Sequence, residues 1–405
     1  MNVSELLEQN YDSHPAFRFD TPAFDVEQSS VADFDNAYKA VCRFGGALDA
    51  SARGRLQRQA RAALDEVFRA MAAQCSDEFE RIFVSELAAE CARLMAEEFA
   101  WYIRPPALGR LRLDSDEAIA AAVELSTRRH VLGRLPESIV AELQAIAAAD
   151  VSMFEAAASA GRLRRSDLSV DRGRTVRRLI ATLNRTFASL GMLEAVSAYV
   201  GRPTRVVGLS LELSVAQSSW WKNAIDGLPR PPETLYAHLD ESISFPKAIV
   251  YLTDVTDSHG PTGCYPQVYE RLGCGPLQEI VGRVVGNAGN DPRSPLHAYY
   301  AKAYHQSMAS EPFRRHFMRL PRPLRFNSHF GWDVMPGGEL EGEVAAQERR
   351  MIGPAGTFVV FDGARLLHRG GLISEGQRVA LQVVFSDITL SRRVWGRMKR
   401  TVGWA

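Results

Sequence analysis

The sequence has few of the features that mark secreted, zinc-binding or membrane-spanning proteins. Its five cysteines are odd in number and form no C-x-x-C pair, which argues against a disulfide framework and against a cysteine zinc site. The apolar stretches are far shorter than a membrane span, and the first fifteen residues contain acidic side chains and no apolar core of a signal peptide. We therefore expect a cytoplasmic protein in a reducing compartment.

The sequence also has no excess of charge of one sign. The 48 basic and 48 acidic residues cancel, so neither nucleic acid nor a membrane surface is an expected partner. No glycine-rich dinucleotide motif follows a strand, and no P-loop motif is present. With 46% apolar and 24% charged residues, the 405-residue chain has the composition of an ordinary globular protein. A small molecule is the expected partner, and the oligomeric state stays open.

The first half of the chain has the pattern of a mainly helical region. Residues 1–32 show neither helical nor alternating periodicity and are predicted to form an extended arm before a single domain over 33–405. A short strand is predicted over residues 40–44, followed by a turn at Gly45 and Gly46. Helical periodicity predicts helices over residues 52–72, 78–99, 115–160 with a break at 133–136, and 176–190. The block over about 77–170 is a predicted helical elaboration of the domain.

The second half has the pattern of a β protein. Short segments with β-forming residues are separated by Gly, Pro, Asp and Ser, and they lie at residues 205–215, 235–239, 248–255, 357–361 and 378–385. Short strands in series predict a sandwich or a barrel. Mixed helix and loop sequence over about 275–347 interrupts the series and is predicted to be an insert over the barrel mouth.

One strand-like segment carries a possible metal-binding pair. His238 and Asp240 are separated by one residue, and side chains at i and i+2 of a strand point to the same face. Two such ligands and a distant second histidine form the facial triad of non-haem iron(II) oxygenases, which leaves coordination positions open for other ligands. Nine histidines in this composition give roughly one H-x-[DE] triplet by chance, so the triplet alone is not specific.

A second segment supplies the distant histidine of the triad and a nearby arginine. In the segment that begins near residue 356, His368 closes one strand, a glycine-containing turn follows, and Arg378 opens the next strand. A guanidinium at that position can bind the far carboxylate of a dicarboxylate through two hydrogen bonds while the 2-oxo acid end chelates iron. This arrangement predicts 2-oxoglutarate as cosubstrate. Alternation along the strand sends Gln382 to the same side, where it is a candidate contact for cosubstrate or substrate.

With these residues in place, the sequence resembles the phytanoyl-CoA dioxygenase-like branch of the iron(II)/2-oxoglutarate oxygenases. The resemblance rests on His238 and Asp240, on residues 251–262 after them, and on His368 with Arg378 ten residues later. It covers about half the chain, over residues 33–72 and 192–388. The sequence departs from the family pattern in the turn that begins at Gly263, in the long segment between the two histidines and in the helical block.

The resemblance implies a fold, a chemistry and a set of roles. The implied fold is α+β, with a double-stranded β-helix, or jelly roll, backed by helices. His238, Asp240 and His368 would bind Fe(II), and Arg378 would bind the C5 carboxylate of 2-oxoglutarate. The implied reaction consumes O2 and 2-oxoglutarate, releases succinate and CO2, and hydroxylates an unactivated C–H bond of a small molecule, such as an amino acid derivative or a secondary metabolite. Asp240 favours hydroxylation, because halogenases of this branch replace that carboxylate.

Other readings stay open from the sequence. The protein is alternatively a non-catalytic jelly-roll that binds metal or acts as a sensor, or a cupin-type metalloenzyme that does not use 2-oxoglutarate. Further candidates for substrate contacts are Trp220 and Trp221, the histidine at His329 in the insert, and Lys247 at the start of the strand after Asp240. For the last two, a structural or solvated role is the simpler expectation.

Overall fold

The structure is a computed structural model that describes residues 17–44, 47–103, 113–216, 237–240, 245–266, 275–287, 311–325, 342 and 344–387. Its helices are α1 (Gln28–Phe44), α2 (Ala50–Ala73), α3 (Glu78–Tyr102), α4 (Asp116–Arg128), α5 (Glu137–Ser159), α6 (Arg165–Leu168), α7 (Arg174–Ser189), α8 (Met192–Val200), α9 (Pro276–Asn287) and α10 (Glu311–Arg319), with a 3-10 turn at Arg322–Leu324. Within these ranges, no helix has the length and apolar character that crossing a bilayer requires.

The first helix corrects two predictions. Helix α1 covers the predicted strand at residues 40–44 and begins at Gln28, so the last residues of the predicted extended arm are helical. Its buried side chains are Phe34, Ala37 and Val41, whose spacing of three and four is helical. Polar residues between them hide that period from a short window. The predicted turn at Gly45 and Gly46 lies outside the described residues.

The predicted long helices are confirmed, and aspartate caps explain where two of them begin. The Asp49 carboxylate accepts a hydrogen bond from the Ala52 amide at 2.7 Å at the start of α2, and the Asp77 carboxylate accepts one from the Glu80 amide at 2.8 Å at the start of α3. Such caps satisfy amides that have no partner within the helix. The break predicted at residues 133–136 contains the end of a strand that the sequence did not reveal.

The strands form two antiparallel sheets. They are β1 (His130–Arg134), β2 (Ser169–Val170), β3 (Thr204–Val215), β4 (Lys247–Tyr251), β5 (Gly263–Cys264), β6 (Arg349–Arg350), β7 (Thr357–Phe361), β8 (His368–Arg369) and β9 (Gln377–Asp387). The larger sheet has the order β1-β7-β4-β9-β3-β2, and the smaller one has the order β6-β5-β8. The predicted strands at 205–215, 357–361 and 378–385 are confirmed, and the one at 248–255 is confirmed as far as Tyr251.

The two faces of the larger sheet have different neighbours. Leu209, Leu211 and Leu213 of β3 point to one face, where they join a core with helices α4, α5, α7 and α8. The opposite face bounds a smaller interior core that includes Tyr251, Val359, Phe361 and Ala380. Because side chains alternate along a strand, Ser210, Glu212 and Ser214 of β3 lie on this interior side.

A second helical core contains the described part of the predicted insert. Leu277 and Ile280 of α9 and Phe317 of α10 are buried with side chains of α1, α2 and α3. The insert therefore extends the N-terminal helical layer over this stretch. The expectation that it covers the barrel mouth stays a prediction for its remaining residues, which lie outside the described ranges.

Candidate metal centre

The three predicted metal ligands come together. One potential ligand atom from each of His238, Asp240 and His368 lies within 4.8 Å of the others. The Asp240 Oδ1 atom is 4.0 Å from the Nε2 atom of each histidine, and the two imidazole centroids are 4.4 Å apart. One ion can therefore contact two imidazole nitrogens and one carboxylate oxygen.

Backbone pairing holds the two ligand segments side by side. The His238 amide donates to the His368 carbonyl at 2.9 Å, and the His368 amide donates back to the His238 carbonyl at 3.0 Å. The Asp240 amide donates to the Gly363 carbonyl at 2.8 Å. Strand β8 is in turn paired with β5 through Cys264 and His368. Ligands far apart in sequence are thus adjacent through ordinary antiparallel pairing.

His368 is prepared to act as a ligand. Its Nδ1 atom lies 2.9 Å from the Leu366 carbonyl, which can only accept, so Nδ1 carries the proton and Nε2 keeps a free lone pair. Burial, together with the neighbouring His238, lowers the pKa of His368 to about 3. The imidazole is therefore neutral at physiological pH, the state in which histidine binds metal.

Asp240 is held by a cation that sequence reasoning considered only for substrate. The Lys247 ammonium lies 2.7 Å from Asp240 Oδ2, the oxygen other than the one that faces both imidazoles. Burial alone raises the pKa of Asp240, but His368, Lys247 and His238 outweigh it, and the pKa lies well below its usual range. The carboxylate is charged at neutral pH, and Lys247 leaves Oδ1 for a metal.

Replacing Lys247 should make protons compete better with metal. The lysine lowers the pKa of both Asp240 and His368. In Lys247→Met, the acid limb of Co(II) binding, which is the pH range over which protonation displaces the metal, should move upward by roughly half to one pH unit. Visible absorption of Co(II), titrated from pH 2 to 7, measures this limb, because His368 and Asp240 take up protons well below pH 5. Lys247→Arg should keep the parent profile, and an unchanged limb in Lys247→Met would show that the ammonium does not act on the site.

The three predicted metal ligands line a pocket of about 350 Å³ that also contains the other predicted site residues. Arg378, Ala380, Gln382 and Val384 of β9 all face it, as the alternation predicted. The Arg378 Nη1 atom donates to the Gly260 carbonyl, and within the described ranges its Nε atom has no hydrogen-bond partner. Burial lowers the pKa of Arg378, although the group remains a cation at neutral pH.

Gln382 has a partner inside the protein. Its amide nitrogen donates to Glu212 Oε2 at 2.7 Å, while Glu212 Oε1 accepts from the Ser210 hydroxyl at 2.9 Å. Gln382 is exposed to the pocket, so its predicted contact with cosubstrate or substrate stays a prediction.

Sequence reasoning missed several polar residues of this pocket. Glu212 and Ser214 alternate with the leucines of β3 and are paired in register with Ala380 and Arg378. That alternation is the signal that would have found them, because polar side chains opposite an inward arginine must also point inward. Arg369 lines the pocket and forms two hydrogen bonds of 2.7 Å with Glu348. Trp220, Trp221 and His329 lie outside the described residues.

No protein-family model matches the chain, and no curated protein matches it. Solved structures give remote matches. The non-heme alpha-ketoglutarate-dependent carbocyclase SnoK is 15% identical, with 66% of this chain and 83% of that chain covered and a TM-score of 0.34. The epimerase SnoN, crystallised with Fe3+, alpha-ketoglutarate and nogalamycin RO, is 16% identical, with 67% of this chain and 84% of that chain covered and a TM-score of 0.36. EctD from S. alaskensis, crystallised with 2-oxoglutarate and 5-hydroxyectoine, is 13% identical, with 71% of this chain and 82% of that chain covered and a TM-score of 0.36. At these TM-scores, the likeness alone assigns neither fold nor function to this chain.

Proposed function

We propose that the protein is an iron(II)/2-oxoglutarate-dependent oxygenase of a small molecule. One observation carries the proposal: His238, Asp240 and His368 converge within 4.8 Å in a pocket that also contains Arg378. A metal centre of two imidazoles and one carboxylate, with the remaining positions open, is the donor set of non-haem Fe(II) oxygenases. The arginine in the same pocket adds the expected anchor for a dicarboxylate cosubstrate.

The strand order supports a double-stranded β-helix as the fold. The middle of the larger sheet is β3-β9-β4-β7, and the smaller sheet becomes the segment at His238, then β8, β5 and β6, once the backbone pairing of His238 with His368 is included. From β3 to β9, sequence neighbours alternate between the two four-stranded sheets except for β5 and β6, which pair with each other in the smaller sheet, and this connectivity is that of a jelly roll. We propose that the helices extend this core within one domain.

The donor set fits iron in charge and in chemistry. Two neutral imidazoles and one charged carboxylate leave a bound Fe(II) with one net positive charge, which favours a further anionic ligand. When bound, iron couples the oxidation of 2-oxoglutarate by O2, giving succinate and CO2, to the oxidation of a substrate C–H bond. The iron would be held by His238, Asp240 and His368. Lys247 contacts Asp240 Oδ2, so Asp240 would bind iron through Oδ1 only.

The chain's other residues would orient the cosubstrate and the substrate. Arg378, with its Nε unpaired among the described residues, would bind the C5 carboxylate of 2-oxoglutarate. Tyr251 and Thr262 are fixed nearby, because the Thr262 amide donates to the Tyr251 hydroxyl at 2.9 Å. Gln382 would lie toward cosubstrate or substrate. Asp240 favours hydroxylation, and we propose an amino acid derivative or a secondary metabolite as the substrate class.

The proposal is tested by cosubstrate turnover. The purified protein with Fe(II), ascorbate and 2-oxoglutarate should form succinate in an O2-dependent reaction even without its substrate, at a slow uncoupled rate, and a small-molecule panel should reveal acceleration. Asp240→Ala is the matched control and should abolish the reaction. Binding of iron without any succinate formation across the panel would favour a non-catalytic metal-binding protein.

A further inference from the structure

The loop between β7 and β8 touches the metal centre directly. Its Gly363 carbonyl accepts the Asp240 amide hydrogen bond at 2.8 Å. The Gly363 backbone also lies close to the Asp240 side chain. A Cβ added at Gly363 would be 2.0 Å from Asp240 Oδ2. Any shift of residues 362–365, the first four residues of this loop, therefore moves the carboxylate of Asp240.

Two tyrosines, one at the end of α3 and one on α8, bind residues of this loop. The Tyr199 hydroxyl of α8 donates to Asp362 Oδ2 at 2.5 Å. The Tyr102 hydroxyl at the end of α3 accepts from the Arg365 Nε and Nη2 atoms at 3.2 and 3.1 Å. Within the loop, Arg365 pairs with Asp362. Asp362 and Arg365, the two ends of the segment 362–365, are thus bound to helices.

A buried arginine from the insert binds the middle of the loop. Arg283 of α9 is 2% exposed, and its Nη2 atom donates to the Ala364 carbonyl at 2.6 Å. Its Nη1 atom lies 2.7 Å from the Glu98 carboxylate of α3, which is also buried. The loop carbonyl is therefore linked through the buried Arg283 and Glu98 side chains to α3.

The buried contact between Arg283 and Glu98 contributes little net stability to the fold. Burying a guanidinium and a carboxylate costs desolvation that apolar residues of similar size avoid. Arg283 also donates to Glu279 of its own helix, but one of its hydrogen bonds ends on the loop that supports Asp240. Partners that orient metal ligands from behind are a general requirement of metal sites.

We propose that Tyr102, Tyr199, Arg283 and Arg365 form a clamp that positions Asp240 for metal binding. The helical layer and the described part of the insert are then positioning elements of the metal centre. This inference rests on the proposed metal-binding function. It assigns no contact with substrate or cosubstrate to the clamp residues.

The double variant Tyr102→Phe/Tyr199→Phe tests the clamp, because it removes two hydroxyl groups and leaves the aromatic rings in place. We expect the Kd for Co(II) to rise about tenfold, with a changed visible spectrum of the bound ion. Thr182→Val is the matched control: it removes a hydroxyl on α7 that donates to the Glu142 carboxylate at 2.7 Å, away from the loop. It should lower the melting temperature of the apoprotein and leave both the Kd and the spectrum at parent values.

The outcomes separate the two proposals. A parent protein that binds Co(II), with a double variant of the same Kd and the same spectrum, overturns the clamp and leaves the proposed function standing. A parent protein that binds no Co(II) overturns the proposed function and the clamp with it. If the double variant does not fold, Tyr102→Phe and Tyr199→Phe alone are compared, each with an expected rise in Kd of a few fold.

Discussion

Gly363→Ala should abolish metal binding while the protein remains folded. The added Cβ would lie 2.0 Å from Asp240 Oδ2, 2.8 Å from its Cγ atom and 3.0 Å from His368 Cε1. The first two distances are far inside van der Waals contact, so the carboxylate or the loop must move. Movement of the loop also breaks the hydrogen bond from the Asp240 amide. We expect the Kd for Co(II) or Fe(II) to rise at least about 100-fold, the upper end of what a lost supporting contact costs.

Gly208→Ala is the control for this variant. Gly208 lies in β3 of the same protein, and an added Cβ there would meet nothing within 4 Å. It should bind metal as the parent does. Circular dichroism and thermal melting of both variants confirm the fold, and a Gly363→Ala protein with parental metal affinity would contradict the close approach that the structure shows.

Arg378→Met should separate cosubstrate binding from metal binding. The side chain lies in the pocket of the candidate metal ligands, and among the described residues its hydrogen bond goes to the Gly260 carbonyl and not to a ligand, so iron affinity should be unchanged. Losing one partner of a buried charged pair costs about 2–5 kcal/mol, so the Kd for 2-oxoglutarate should rise roughly 30-fold or more. Anaerobic calorimetry of the Fe(II)-loaded protein measures both affinities.

The choice of cosubstrate shows whether Arg378 binds the far carboxylate. The parent should prefer 2-oxoglutarate to 2-oxohexanoate, which keeps the chelating end and lacks the second carboxylate. Arg378→Met should lose this preference and bind both compounds with similar affinity. If the variant keeps the preference, the arginine is not the anchor, and a cupin-type enzyme that does not use 2-oxoglutarate becomes the better account.

The candidate metal ligands could be predicted from the sequence because two of them are neighbours along a strand-like segment and the residue types are specific. His238 and Asp240 show the two-residue period of a strand, and His368 precedes Arg378 by one turn and the start of a strand. The structure brings the three ligands together at the distances a metal needs. Lys247 was ambiguous, since a lysine at the start of a strand is usually solvated and only the fold shows its 2.7 Å contact with Asp240.

The helices that support the site could be predicted as elements but not in their role. The periodicity of α3 is clear, yet nothing in the sequence links Tyr102 at its end to Arg365, which lies 263 residues later. Strand β1 was hidden because it is short and lies between two helices, and its pairing with β7 is what defines it. Helix α1 was obscured by polar residues around its three buried side chains. Long-range contacts decide the role of Tyr102 and the formation of β1, whereas α1 was missed for a local reason.

The most direct test of the proposed function is an anaerobic titration of Fe(II) and then 2-oxoglutarate into the parent protein and into His238→Ala. A weak visible charge-transfer band should appear in the parent when 2-oxoglutarate is added to the iron-loaded protein. The variant lacks one of the three ligands that converge in the pocket and should show no band at the same concentrations. A folded parent protein that binds iron and gives no band would contradict the assignment of this centre to 2-oxoglutarate chemistry.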